Sequence, residues 1–314
     1  MKIILKVMEE SNSNRFTRFF SESGQGWGKE VMPFFNKTEV RTLCTINKKF
    51  NHAVFRPPIK KGWNWKFHSI EGKVSKELAS PLEYPEIIYS TESLLLVSSR
   101  LSHCIHVISK DGKLINTLKC SNEYDESCVW NILMIDTEIY VLLYDQIVVL
   151  KGIDDDTIVR RWNCLGLDMI NISEKILVLY EKKITIYDTN GNVLHTIPTQ
   201  TQKPCKSLLA IHDDIAVLDI TQKQLRVLSL NGVLKYTILC PFVSTEWVRM
   251  TFMKNIEEIV VSDNTGTIVS AINTFSKIAR IVNSGYFAYP QVMAESEDGL
   301  WVADRNNSKL CFIK

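Results

Sequence analysis

Glu71-Gly72-Lys73-Val74-Ser75-Lys76-Glu77-Leu78 and, 40 positions further on, Asp111-Gly112-Lys113-Leu114-Ile115-Asn116-Thr117-Leu118 read as two copies of one turn and strand. An acidic residue and a glycine open a tight hairpin, since glycine enters the positive-φ region of such turns without steric cost, and an alternating strand follows. The second copy belongs to a repeating unit. Its marker is a run of aliphatics ending in valine: Leu95-Leu96-Val97, Ile139-Tyr140-Val141, Ile176-Leu177-Val178, Ile215-Ala216-Val217, Ile259-Val260-Val261 and Leu300-Trp301-Val302, at spacings of 44, 37, 39, 44 and 41. Asn190-Gly191 and Asn231-Gly232 stand where Asp111-Gly112 does, 12 to 14 residues after the valine. A period near 40 built from short strands and tight turns predicts a mainly β fold, a six-bladed β-propeller, in which each blade needs its neighbours to bury its faces. After Val302 the same offset runs into Lys314, so the sixth blade lacks its outer strand. The unplaced copy at 72–78 is expected to supply it and close the ring, which also removes open sheet edges.

The chain has 314 residues, 45% apolar and 23% charged, a globular composition with no apolar run long enough to span a bilayer. The opening Met1–Lys6 is too short for a secretory segment, and the expected location is cytoplasmic, nuclear or both, without membrane attachment. Charge divides the chain: residues 1–66 hold 13 Lys/Arg and 5 Asp/Glu, a net +8, while the remainder holds 24 and 30, a net −6. At that border Arg56-Pro57-Pro58-Ile59-Lys60-Lys61-Gly62 suits an extended linker. The expected organisation is an extension over 1–28, a small α-helical segment over 29–55, a basic linker over 56–63 and the propeller over 64–314.

Within the helical segment, Thr38 caps a helix whose apolar positions Val40, Leu43, Ile46, Phe50 and Val54 recur every three or four residues, and Val31, Met32, Phe34 and Phe35 form a short apolar element before it. The run Val40-Arg41-Thr42-Leu43-Cys44-Thr45-Ile46-Asn47-Lys48-Lys49-Phe50-Asn51 resembles the second half of an F-box, although Gly24, Gly26 and Gly28 surround Trp27 where that family opens with Leu-Pro. The resemblance implies that Val31, Met32, Pro33, Phe34, Phe35, Val40, Leu43, Ile46 and Phe50 bind a Skp1-type adaptor protein. The bland reading is that the same helices pack on the propeller's own side. Asp298-Gly299-Leu300-Trp301-Val302-Ala303-Asp304-Arg305-Asn306-Asn307-Ser308-Lys309 resembles an NHL repeat, with partial echoes at Asp219 and Asp263-Asn264 and departures in the second and third blades. An F-box ahead of a propeller implies a substrate receptor of a cullin-type, SCF-like ubiquitin ligase, a monomer within a larger complex.

No catalytic motif of the G-x-S-x-G, Walker or H-E-x-x-H kind occurs, and no enzymatic activity, cofactor or metal is expected. NHL-related propellers include lactonases and lyases with a divalent ion in the channel. Here the inner strands, near 87–90, 132–135, 168–172, 208–212, 248–252 and 292–294, are aliphatic, with Asp136, Asp168 and His212 as the only ligand candidates. His103 and His106 fall on opposite faces of a strand. The eight cysteines lack zinc spacing and read as small buried thiols. Asp154-Asp155-Asp156 reads as a solvated hairpin loop. A net −6 propeller makes nucleic acid an improbable partner. The face formed by the loops between second and third strands and between blades is then the candidate surface for a protein substrate. It carries Arg100, Tyr144, Lys182, Lys223, Asn264, Arg305 and Asn306, with Trp247, Tyr286 and Tyr289 from the longer connections, residue types that dominate interface energetics.

Overall fold

The computed structural model describes residues 72–79, 84–98, 104–120, 128–201, 203, 205–243, 248–263 and 268–314, all within the second of two units, Ser69–Lys314. The F-box-like residues Val31 to Phe50 and the linker lie outside the described residues, as do Arg100, His103, Trp247 and Asn264.

Six four-stranded antiparallel sheets follow one another around a ring. A lone strand, β1 (Val74–Ala79), precedes them. Blade one comprises β2 (Ile87–Ser90), β3 (Leu94–Ser98), β4 (Cys104–Ser109) and β5 (Leu114–Lys119). Blade two comprises β6 (Asn131–Ile135), β7 (Glu138–Leu142), β8 (Gln146–Leu150) and β9 (Ile158–Asn163). Blade three holds β10 (Asp168–Ile172), β11 (Lys175–Leu179), β12 (Lys183–Tyr187) and β13 (Val193–Pro198). Blade four holds β14 (Leu208–Ile211), β15 (Asp214–Asp219), β16 (Gln224–Leu228) and β17 (Leu234–Leu239). Blade five holds β18 (Val248–Met253), β19 (Glu258–Asp263), β20 (Ile268–Asn273) and β21 (Ala279–Ser284), and blade six holds β22 (Pro290–Ser296), β23 (Gly299–Asp304) and β24 (Lys309–Ile313), completed by β1.

All six marker valines sit in the second strands and are at most 1% exposed. Their aliphatic runs follow from the architecture: a middle strand is covered on both faces by neighbouring blades, so Ile139 to Leu142 are all buried, whereas the outer strand β9 alternates between half-buried and exposed positions. The core is accordingly a ring of apolar clusters, one at each boundary between blades.

The ring closes as the repeated phrase requires. β1 pairs antiparallel with β24, placing Val74 opposite Ile313, Lys76 opposite Phe312 and Leu78 opposite Leu310. In blade one the same phrase places Leu114 opposite Ile108, Asn116 opposite Val107 and Leu118 opposite Ile105, with the bulge at the same step. Blade six is thus a standard outer hairpin opened at its turn. Gly112 (φ 91°) and Gly72 (φ 74°) occupy equivalent left-handed positions, and a Cβ on Gly72 would meet the Val282 carbonyl oxygen at 2.0 Å. The Asp154–Asp156 stretch lies in the loop between β8 and β9, where Lys151 pairs with Asp155 at 2.8 Å.

Candidate functional site

The inner strands of all six blades line a central cavity of about 640 Å³. Its two ends differ, and the inner strands define them: the entry end is where those strands begin, the exit end where they finish.

At the entry end Asp168, the first residue of β10, is 4% exposed and gathers four blades onto one carboxylate. Oδ1 accepts from Asn131 Nδ2 at 2.5 Å and from the Met169 amide at 3.0 Å and forms an ion pair with Arg249 Nη1 at 3.2 Å; Oδ2 accepts from the Leu208 amide at 2.8 Å. Asn131 begins β6, Leu208 begins β14 and Arg249 lies in β18. Arg249 Nη1 also donates to the Lys206 carbonyl at 3.4 Å. A buried carboxylate facing one cation and several N–H groups is compensated where it stands.

Around this centre lie aromatic and cationic side chains. Tyr144, 63% exposed, packs on half-buried Trp130 at a centroid distance of 6.5 Å. Arg305 Nε forms an ion pair with buried Glu86 Oε1 at 2.7 Å, with the ring centroids of Tyr84 at 5.8 Å and Tyr289 at 5.5 Å from its guanidinium. Of the expected face residues, Tyr289 and Arg305 are therefore brought together, and the Arg305 amide donates to the Tyr289 carbonyl at 3.0 Å. Asn306 is exposed on the same short turn, Arg305–Asn307. Lys182 and Lys223 are exposed on loops whose carbonyls accept from Thr199 at 3.0 Å and Cys240 at 2.8 Å, so their backbones are fixed and their ammonium groups face solvent. Tyr286 departs from the expectation. Its hydroxyl donates to Glu77 on the outer strand β1, whose carboxylate pushes the phenol up to about 12, so it belongs to the rim of blade six.

The acid at the end of the second strand has a local task. Asp304 accepts from the amides of Ala288 at 3.2 Å and Tyr289 at 2.9 Å and from Asn307 Nδ2 at 2.7 Å, holding the inter-blade connection against the turn. Asp219 caps its own turn through the Gln222 amide at 3.2 Å.

The three ligand candidates do not converge. Asp168 is saturated at the entry end, while Asp136 (φ 53°) and His212 (φ 54°) occupy exposed turns at the exit end, His212 facing Glu257 Oε2 at 3.1 Å. His212 was expected to end an inner strand; β14 stops at Ile211 because the left-handed residue turns the chain. Among the described residues no three His, Cys, Asp or Glu side chains are placed to hold a metal ion. Cys120, Cys164, Cys205, Cys240 and Cys311 are buried, and burial pushes the thiols of Cys240 and Cys311 up to about 12, far from a reactive thiolate.

Sequence reading missed Trp130, Asn131, Arg249, Glu86 and Tyr84. Arg249 had a signal, as a cation inside an inner-strand run that is otherwise apolar or small, Val248-Arg249-Met250-Thr251-Phe252.

The described unit is a six-bladed β-propeller with one polar, aromatic channel mouth. No known protein family and no curated protein matches the chain sequence. Solved structures do match it. The WD40 β-propeller domain of Doa1 superposes with a TM-score of 0.58 at 12% identity, covering 77% of this chain and 96% of that one. A streptogramin B lyase gives 0.58 at 11%, covering 76% and 96%. A chain of the mitotic checkpoint complex gives 0.58 at 13%, covering 79% and 93%. At such identities the likeness establishes the fold, and one fold carries a WD40 domain, a chain of a checkpoint complex and a lyase alike. No helix among the described residues is long and apolar enough to cross a membrane.

Proposed function

We propose that the protein is a non-enzymatic, substrate-recruiting adaptor: the entry end of the propeller binds a protein, and the F-box-like segment binds a Skp1-type adaptor of a cullin-type ubiquitin ligase. The observation that carries the first half is the clustering of Tyr144 on Trp130, and of Tyr84 and Tyr289 around Arg305, at one end of the channel. Aromatics and arginine supply most of the energy of protein interfaces, and here they stand on loops pinned by backbone hydrogen bonds. The second half rests on the run Val40–Asn51. Catalysis would then be proximity provided to a partner enzyme. The scattered positions of Asp136, Asp168 and His212 weigh against a lactonase-like metal hydrolase.

The test is titration of a purified Skp1-type adaptor against the full chain, with Phe35→Ala and Leu43→Ala beside it and melting curves for all three. The expected result is measurable wild-type binding that falls about 30- to 1000-fold in the variants at nearly unchanged melting temperature. A wild-type chain that ignores the adaptor, with destabilised variants, would end the ubiquitin-ligase reading and leave a propeller scaffold whose N-terminal helices pack on itself.

A further inference from the structure

We infer that the entry end takes a carboxylate-rich segment of its partner, anchored by an aromatic side chain against Trp130 and Tyr144. The inference rests on the reading that this end recruits a protein.

The net −6 of residues 67–314 is not spread evenly. Exposed acids Glu92, Asp136, Glu174, Asp213, Glu297 and Asp298 occupy the turns at the exit end, interspersed with exposed Lys113, Lys151, Lys175, Lys254 and Lys277. At the entry end Lys182, Lys203 and Lys223 are exposed and Lys206 is half-buried, over blades three and four and the connection between them, against Glu181 and Asp145. These loops form one piece: the Cys205 amide donates to the Glu181 carbonyl at 3.1 Å, and Arg249 reaches the Lys206 carbonyl at 3.4 Å. Of the buried acids at this end, Asp168 and Glu86 are each paired with an arginine at 3.2 and 2.7 Å, Asp219 and Asp304 accept from backbone amides, and Asp263 is buried at the end of β19. Among the described residues an approaching anion therefore meets a local excess of lysine over blades three and four, which attracts it to that part of the entry end.

The kind of anion follows from the kind of cation. Phosphate is gripped best by the planar fork of arginine, yet both described arginines at this mouth are engaged, Arg249 with Asp168 and Arg305 with Glu86. Exposed lysines are mobile point charges suited to single carboxylates dispersed along a peptide. A long polyanion such as RNA would extend past a patch this small onto a negative surface, whereas a short acidic peptide stays within it. Beside the lysines, Tyr144 at 63% exposure presents an apolar ring next to the channel mouth, the natural seat for the peptide's aromatic anchor.

The experiment is fluorescence anisotropy on the full chain with labelled synthetic peptides: glutamates and aspartates around one phenylalanine, the same peptide with glutamine and asparagine, a phosphoserine version, and an oligouridylate. The acidic peptide should bind, weaken as salt is raised, and lose about tenfold or more in affinity with Lys182→Glu and Lys223→Glu combined, while Glu174→Lys at the exit end changes little. Tyr144→Ala should weaken it as well. Equal binding of acidic and neutral peptides, both sensitive to Tyr144→Ala, would overturn this inference and keep the protein-recruiting reading. Binding that responds to neither the lysine nor the Tyr144 changes would remove both. Tighter binding of the phosphoserine peptide or of oligouridylate would overturn the carboxylate assignment.

Discussion

The two ends of the channel are built from the same six strands and by opposite means. At the entry end one buried carboxylate, Asp168, ties blades two, three, four and five through Asn131, Met169, Leu208 and Arg249. At the exit end the strands run out into short turns with residues at positive φ, Asp136, Ser173, Glu174, His212 and Glu257 among them, and the links between blades are pairwise, as His212 of blade four to Glu257 of blade five at 3.1 Å and the Lys254 amide of blade five to Glu295 of blade six at 2.6 Å. The comparison teaches where a propeller is rigid enough to present a binding surface. Loops gathered by one buried carboxylate from four blades keep aromatic side chains in place; turns linked only in pairs carry solvated charge.

The sharpest way to break that comparison is Asp168→Ala, which leaves Arg249 buried without its carboxylate and should cost about 3–5 kcal/mol of stability by denaturant unfolding, as loss of one partner of a buried pair does. Asp213→Ala in an exit-end turn should stay within about 0.5 kcal/mol. Equal costs at the two ends would erase the distinction. A smaller effect is expected of Arg305→Ala, about 2 kcal/mol, because buried Glu86 loses its cationic partner; Arg305→Lys should restore only part, since the flat guanidinium between Tyr84 and Tyr289 is not replaced. The smallest concerns pH. Burial raises the Glu295 carboxyl above its ordinary range, against hydrogen bonds from Lys254 and Asn255 that pull it down. A group whose folded pKa is raised stabilises most below its unfolded value and loses that contribution as pH rises through the folded one. Melting temperature should therefore decline slightly from acid toward neutral pH through this residue, and Glu295→Gln should flatten the decline; a steeper decline in the variant would contradict the assignment.

How much was legible in the sequence divides along similar lines. The blades, their inner strands and the ring closure were readable because each is a local phrase: an aliphatic run ending in valine, a glycine turn, and the copy at 72–78 that had no other place to go. The entry-end constellation was not. Asn131 and Asp168 are 37 residues apart, Arg249 comes from a further blade, and Glu86 meets Arg305 across the closure between blades one and six, so no spacing announces them. Tyr289 and Arg305 were chosen for residue type and loop position, and the fold brings them together. Tyr286 was chosen on the same grounds and turned to the rim, since Glu77 offered its hydroxyl an acceptor there. A connection's sequence says that it reaches the surface, and only the packing decides which way each ring faces.

In the proposed function one chain joins two partners, an adaptor at its N-terminal segment and a protein at the entry end. The direct measurement is retention of a purified Skp1-type adaptor on resin carrying the acidic phenylalanine peptide. The account predicts retention only when the full chain is present, and loss with either Leu43→Ala or the combined Lys182→Glu and Lys223→Glu change, each variant still folded by its melting curve. Adaptor that passes through the resin while the wild-type chain stays bound to the peptide would contradict the bridging claim.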